Sequence, residues 1–133
     1  MTEEVDMITI RYIVDDVDAA VPFYAERLGF AVVMHAPAGF AMLDRDGLRL
    51  LLNRPGAGGA GHPDDAGRRP APGGWNRFQL AVPDLDEVLA GLEHAGVRVR
   101  TSIVEGGGGR QAVIEDPSGN PIELFESKAG ESR

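Results

Sequence analysis

The feature that most constrains this chain is a plan written twice. The stretch from Asp16 to Phe30 reads as one helix with its entry and exit signals. Val17, Val21, Tyr24 and Leu28 share a face by their spacing, and Gly29 stands where a helix ends on a residue free to take positive φ. Asp18 is the expected cap, with Asp16 its rival, because a start at Asp18 leaves Pro22 nearer the first turn, where a missing N–H costs least. In the second half Asp84-Leu-Asp-Glu87 has the form of a capping box. Leu85, Val88, Leu89 and Leu92 make an apolar face there, and Gly96 closes the helix. Asp84 lies 68 positions after Asp16, and Gly96 lies 67 after Gly29. A repeat of this length means two copies of one supersecondary module, not a solenoid period.

Each helix is preceded by one strand and followed by three. In the first half the strands are Ile8–Val14, Ala31–His35, Phe40–Leu43 and Leu48–Leu52, with the turn dipeptide Asp46-Gly47 joining the last two. In the second half they are Asn76–Val82, Val97–Arg100, Arg110–Glu115 and Ile122–Glu126. Asp116-Pro-Ser-Gly-Asn-Pro121 is a turn into the last strand, and Lys128–Arg133 reads as a frayed tail. Between the halves, Arg54–Gly74 holds eleven Gly or Pro among 21 residues, which suits a mobile linker or flap. The organisation expected is one domain over 1–133: module one at about 7–53, the linker at 54–74 and module two at about 75–127.

Composition narrows the functions. There is no cysteine, so neither a disulfide framework nor thiolate chemistry is available. No apolar run reaches the ~18–20 residues of a transmembrane helix. The acidic start of the chain lacks a hydrophobic signal core, so a cytoplasmic location is expected. A formal net charge of −8 argues against nucleic acid as a partner, because phosphate binding draws on clustered cations. Glu105-Gly-Gly-Gly-Gly109 has no Lys-Ser/Thr pair and no helix after it, so it is not read as a phosphate loop. Ser102 and Ser118 show no nucleophilic partners, and Asp15, Asp16 and Asp18 lack the Gly and distal Glu of a calcium loop.

Phe23-Tyr24 with Leu28-Gly29-Phe30, together with Glu115-Asp-Pro-Ser-Gly-Asn-Pro-Ile-Glu-Leu-Phe125, resembles the vicinal oxygen chelate superfamily. That group contains glyoxalase I, extradiol dioxygenases and bleomycin-resistance proteins. The resemblance covers roughly Ile8 to Glu126. It implies an α+β fold of two βαβββ modules with pseudo-twofold symmetry, whose open curved sheets form a cup, and it implies a homodimer. Enzymes of the superfamily hold a divalent metal with four side chains, from the first and last strand of each module. Here those positions fall on Thr9, about Leu51 (with Asn53 if the register slips by two), Arg77 and Glu123. A hydroxyl, an aliphatic chain and a guanidinium are not a ligand set for such an ion, so no metal and no cofactor is expected. His35, His62 and His94 show no ligand spacing.

On that frame the cup face carries Ile13, Leu51 and Phe125 as its apolar part and Arg11, Arg77, Gln79 and Glu123 as fixed polar groups, a mixture that suits a small organic ligand. The alternative is that Arg77 and Glu123 serve only each other. Trp75 either stacks on a ligand or anchors a loop, and Phe40 and Met42 read as core. No catalytic residue is identified. The expectation is a metal-independent protein that sequesters a hydrophobic or aromatic compound, as in antibiotic resistance of the bleomycin-resistance type. The other reading is a lyase or dioxygenase-like enzyme with an atypical metal site.

Overall fold

The computed structural model describes residues 7–128. The chain forms two compact units, one running to Pro72 and the other from Gly73. Both have the order strand, helix, three strands. In the first, β1 (Ile8–Ile13) leads to α1 (Val17–Pro22), which continues as a π-helical stretch over Phe23–Arg27, then to β2 (Ala31–Ala36), β3 (Phe40–Arg45) and β4 (Leu48–Asn53). In the second, β5 (Gln79–Ala81) leads to α2 (Leu85–His94), then β6 (Arg98–Glu105), β7 (Gly109–Glu115) and β8 (Pro121–Ser127). The sheets are open, ordered β1-β4-β3-β2 and β5-β8-β7-β6, with β1 parallel to β4 and β5 parallel to β8. The expected α+β pair of βαβββ modules is what forms.

The first helix is capped by Asp16, not Asp18. The Asp16 carboxylate accepts from the N–H of Asp18 at 3.0 Å and of Ala19 at 3.3 Å. The repeat itself pointed there, because Asp84 caps α2 in the same way, accepting from Glu87 N–H at 3.1 Å. Pro22 therefore sits one and a half turns in, where it has no N–H to give, and the helix widens immediately after it. Both helices end on a glycine at positive φ, 75° at Gly29 and 88° at Gly96. At α2 the closing bonds are Gly96 N–H to Glu93 and Val97 N–H to Leu92, a Schellman motif. At the first helix the closing bond runs from Phe30 N–H to Tyr24, one residue further back.

Strand alternation sends one set of side chains under each helix. Tyr12, Val14, Leu43, Leu50 and Leu52 are buried with Val17, Ala20, Val21 and Tyr24. Tyr24 is fully enclosed and meets Phe23 and Phe30 edge-on. In the second unit Phe78, Leu80, Ile114, Ile122 and Leu124 are buried with Leu85, Leu89 and Leu92. Each Val, Leu, Ile or Phe among them contributes roughly 1.5–3 kcal/mol on leaving water.

Three features differ most from the expectation. β5 is shorter than Asn76–Val82. β6 runs on to Glu105, its pairing with β7 broken by two register shifts, so the polar Thr101 and Ser102 that mask it in the sequence sit in an irregular edge strand. The Gly/Pro-rich segment is not structureless throughout: Gly56 N–H donates to Gly61, Ala57 N–H to Arg54 and Gly61 N–H to Ala57, closing a compact turn over 54–61. The tail expected beyond Lys128 lies outside the described residues.

Candidate functional site

The other face of each sheet is the open one. In the first unit, cross-strand register lays its residues in rows: Ile13, Asn53 and Phe40; Arg11, Leu51 and Met42; Thr9, Arg49 and Asp44. Phe40 and Met42, read from the sequence as core, therefore lie on this half-buried face because their parity in β3 is opposite to that of Ala41 and Leu43. Asp44 and Arg49 pair in two hydrogen bonds of 2.8 and 3.0 Å, and the guanidinium holds the Asp44 carboxyl below the usual range. Arg11 donates to the side-chain oxygen of Asn53. Asn53 is only 4% exposed although it lies on the open face.

The turn over 54–61 explains that burial. It folds back beside β4 and leaves a cavity of about 440 Å³, lined by Arg11, Asn53 and Phe40 and by Ala38, Ala57 and Ala60. The volume is that of a small-ligand pocket, and its wall is mostly apolar with a few polar groups. Gly61 makes the turn feasible: a Cβ there would stand 2.5 Å from the Gly56 nitrogen and 2.8 Å from the Arg54 oxygen. Of the residues expected at the site, Arg11 lines this cavity, and Ile13 and Leu51 lie on the same sheet face beside it. Phe40, Asn53 and Ala57 were not expected as ligand contacts. Asn53 had a signal, since it shares strand parity with Leu51; Ala57 had none.

In the second unit the open face gathers Arg77, Gln79 and Glu123. Arg77 reaches the Glu123 carboxylate at 2.9 and 3.0 Å, and Gln79 donates to its other oxygen at 2.8 Å. Phe125 follows Glu123 on the same side of β8, opposite Ala81. The turn before β8 holds this strand in place. Buried Asp116 accepts from the N–H groups of Ser118 and Asn120 at 2.9 Å, and Gly119 takes φ 89°. Trp75 is gripped by Arg100, whose guanidinium carbon lies 4.5 Å from the ring centroid. Arg100 also donates to the carbonyls of Gly74 and Gly119 and to Glu115. The tryptophan thus fixes the entry loop of the unit and still leaves 62% of its surface exposed.

A second cavity, of about 270 Å³, lies at the far end of β7 and β8. Its one guanidinium is already engaged: Arg110 pairs with Asp86 at 2.8 Å and lies near Glu126 and Glu105.

The positions that would hold a metal do not fit one. Gln79 pairs with Glu123 across β5 and β8, and Arg11, 68 positions before Gln79, pairs with Leu51. Leu51 rather than Asn53 is therefore the counterpart of Glu123. The set is Thr9, Leu51, Arg77 and Glu123, whose one carboxylate is already engaged by a guanidinium and an amide. Among the described residues no group of three or more His, Cys, Asp or Glu side chains is arranged to hold an ion. His35 instead meets Asp18 at 2.8 Å, and His62 and His94 are exposed.

The family model for the Glyoxalase/Bleomycin resistance protein/Dioxygenase superfamily matches residues 5–124. The chain belongs to this superfamily. Its fold recurs in solved members. One from Sphaerobacter thermophilus is 26% identical, with a TM-score of 0.72 over 91% of this chain and 96% of that one. TnmS3, an antibiotic binding protein from Streptomyces sp. CB03234, is 25% identical, with a TM-score of 0.69 over 92% and 95%. Lactoylglutathione lyase from Agrobacterium tumefaciens is 24% identical, with a TM-score of 0.72 over 92% and 94%, and that likeness shows the fold alone. No curated protein matches the chain. Membership fixes the superfamily's architecture and leaves the chemistry to the site, because one fold carries many functions.

Proposed function

We propose that this protein binds a largely flat, apolar small molecule and holds it without converting it, in the manner of an antibiotic-sequestering protein. The observation that carries this reading is the occupation of Glu123 by Arg77 and Gln79, which leaves the superfamily's metal positions without a donor set. Electrophilic chemistry of the superfamily's kind needs a Lewis acid there. Arg11, Ile13, Leu51, Trp75, Arg77, Gln79, Glu123 and Phe125 are the proposed ligand-facing residues, and the cavity beside Arg11 adds Phe40 and Asn53. The likeness to TnmS3, an antibiotic binding protein, supports the class of ligand.

The reading includes a cytoplasmic homodimer. Val32, Val33 and Met34 on the edge strand β2 are 44 to 50% exposed, an apolar edge that a second copy would cover. Sedimentation at about 10 µM, where a micromolar dimer is populated, tests that part.

The function is tested by incubating substoichiometric protein with a ligand found by native mass spectrometry against a panel of polycyclic aromatics and antibiotics. The mixture is then denatured and analysed. Intact ligand bound one per site supports sequestration. Conversion of many equivalents refutes it and restores the enzyme with an atypical metal site.

A further inference from the structure

We propose that the cavity of the first unit selects ligands that carry an acid: a planar apolar body with a carboxylate or a comparably acidic oxygen, anchored by Arg11. This rests on the small-molecule-binding reading and names its ligand class. The argument starts from charge. On the open face of the first unit the other arginine, Arg49, is neutralised by Asp44, and in the second Arg77 is neutralised by Glu123. Arg11 is not. Its partner is the neutral amide of Asn53, and among the described residues no carboxylate is within ion-pairing distance of it. A chain with a formal charge of −8 has placed an unmatched guanidinium on the wall of a mostly apolar cavity.

Position and orientation follow. Asn53 is buried, so its side-chain oxygen is a fixed acceptor that holds one N–H of the fork and leaves the others to a ligand. A guanidinium fork presents two parallel N–H groups that match a carboxylate. Phe40, Ala57 and Ala60 supply the apolar wall beside it. Energetics then decides selectivity. A neutral molecule that covers Arg11 strips water from the cation and returns at most a hydrogen bond to a neutral oxygen, whereas an acid returns an ion pair with two parallel hydrogen bonds. The acidic chain repels anions at long range, so their recognition depends on this short-range contact.

The test uses two probes of the same shape, 2-naphthoate and 2-naphthamide, titrated calorimetrically into the full chain at low salt. Native protein should bind the naphthoate about tenfold more tightly or better, a ratio set by one charge-assisted contact. Arg11→Met should abolish that ratio by weakening naphthoate alone, and Phe40→Ala should weaken both probes together. Equal affinity of the two probes for native protein, or an Arg11→Met variant that keeps the preference, would overturn the inference while leaving sequestration of neutral compounds standing. No binding of either probe at about 1 mM, the weakest specific range, also overturns it. Chromatography of the same samples separates the two readings: a naphthoate preference with the probe chemically converted supports the Arg11 anchor and refutes sequestration.

Discussion

Arg77 holds Glu123 through its Nε and Nη2 at 3.0 and 2.9 Å, on the strand pair where the superfamily would place a metal. The side chains are 25% and 12% exposed, so the pair is only partly screened. Removing Arg77 alone leaves a largely buried carboxylate with Gln79 as its remaining partner. Arg77→Ala should cost about 2 kcal/mol, less than the 3–5 of a fully buried pair. Arg77→Ala with Glu123→Gln should cost less than Arg77→Ala by itself. Urea denaturation of the native protein, Arg77→Ala, Glu123→Gln and the double variant measures this, and strictly additive losses would mean the pair contributes nothing.

The cap assignment separates two neighbouring aspartates. Asp16→Ala should lose about 1 kcal/mol, the usual cost of removing an N-cap. Asp18→Ala, which loses only an exposed contact with His35, should lose under about 0.5 kcal/mol. Chemical denaturation giving the reverse order would contradict the capping geometry.

The acid limb of stability should carry a contribution from Asp44. Its pKa is lowered from 3.8, first by the hydrogen bond from Arg49. A depressed folded-state value favours the carboxylate form in the folded protein. The stability it adds is therefore present above the ordinary value and is lost as pH falls through the folded one. Asp44→Asn should be less stable than the native protein at pH 7 by well under about 1 kcal/mol, as for a partly exposed cross-strand pair. The gap should close below about pH 4. Urea midpoints measured from pH 7 to pH 3 check this.

Gly61→Ala should distort the turn over 54–61, since the new Cβ would meet backbone at 2.5 and 2.8 Å. Overpacking of this kind costs about 1–3 kcal/mol. The variant should keep its strand and helix content by circular dichroism and lose ligand affinity. Unchanged affinity would show that the turn does not wall the cavity.

Divalent cations should leave the protein indifferent. Zinc, nickel or manganese at about 100 µM should move the thermal midpoint of protein without a histidine tag by less than about 1 °C. An ion bound at about 1 µM would add about 2.7 kcal/mol and raise it by more than about 5 °C.

The fold was legible because its signals are local and redundant. Cap, apolar face and terminal glycine occur twice, and strand parity alone puts Arg11 with Ile13 and Glu123 with Phe125 on shared faces. The cavity was not legible for the opposite reason. It depends on how Gly56, Gly58 and Gly61 route the backbone, and glycine's freedom leaves no trace in a pattern of apolar and polar residues. Phe40 was misplaced because an aromatic residue in a strand looks like core until register decides its face. Pro22 favours a helix start at Asp18, but the repeat aligns Asp16 with Asp84, and those two aspartates are the caps.

The π-helical stretch at Phe23–Arg27 marks the place where the two halves fall out of step. From cap to terminal glycine the first helix spends thirteen steps and the second twelve, which is why the repeat offset falls from 68 to 67. The extra residue is taken up where the turn widens, and the closing bond from Phe30 to Tyr24 spans one residue more than its counterpart from Val97 to Leu92. The first helix is thus one residue longer from cap to glycine than its counterpart, and the wider turn takes up the difference.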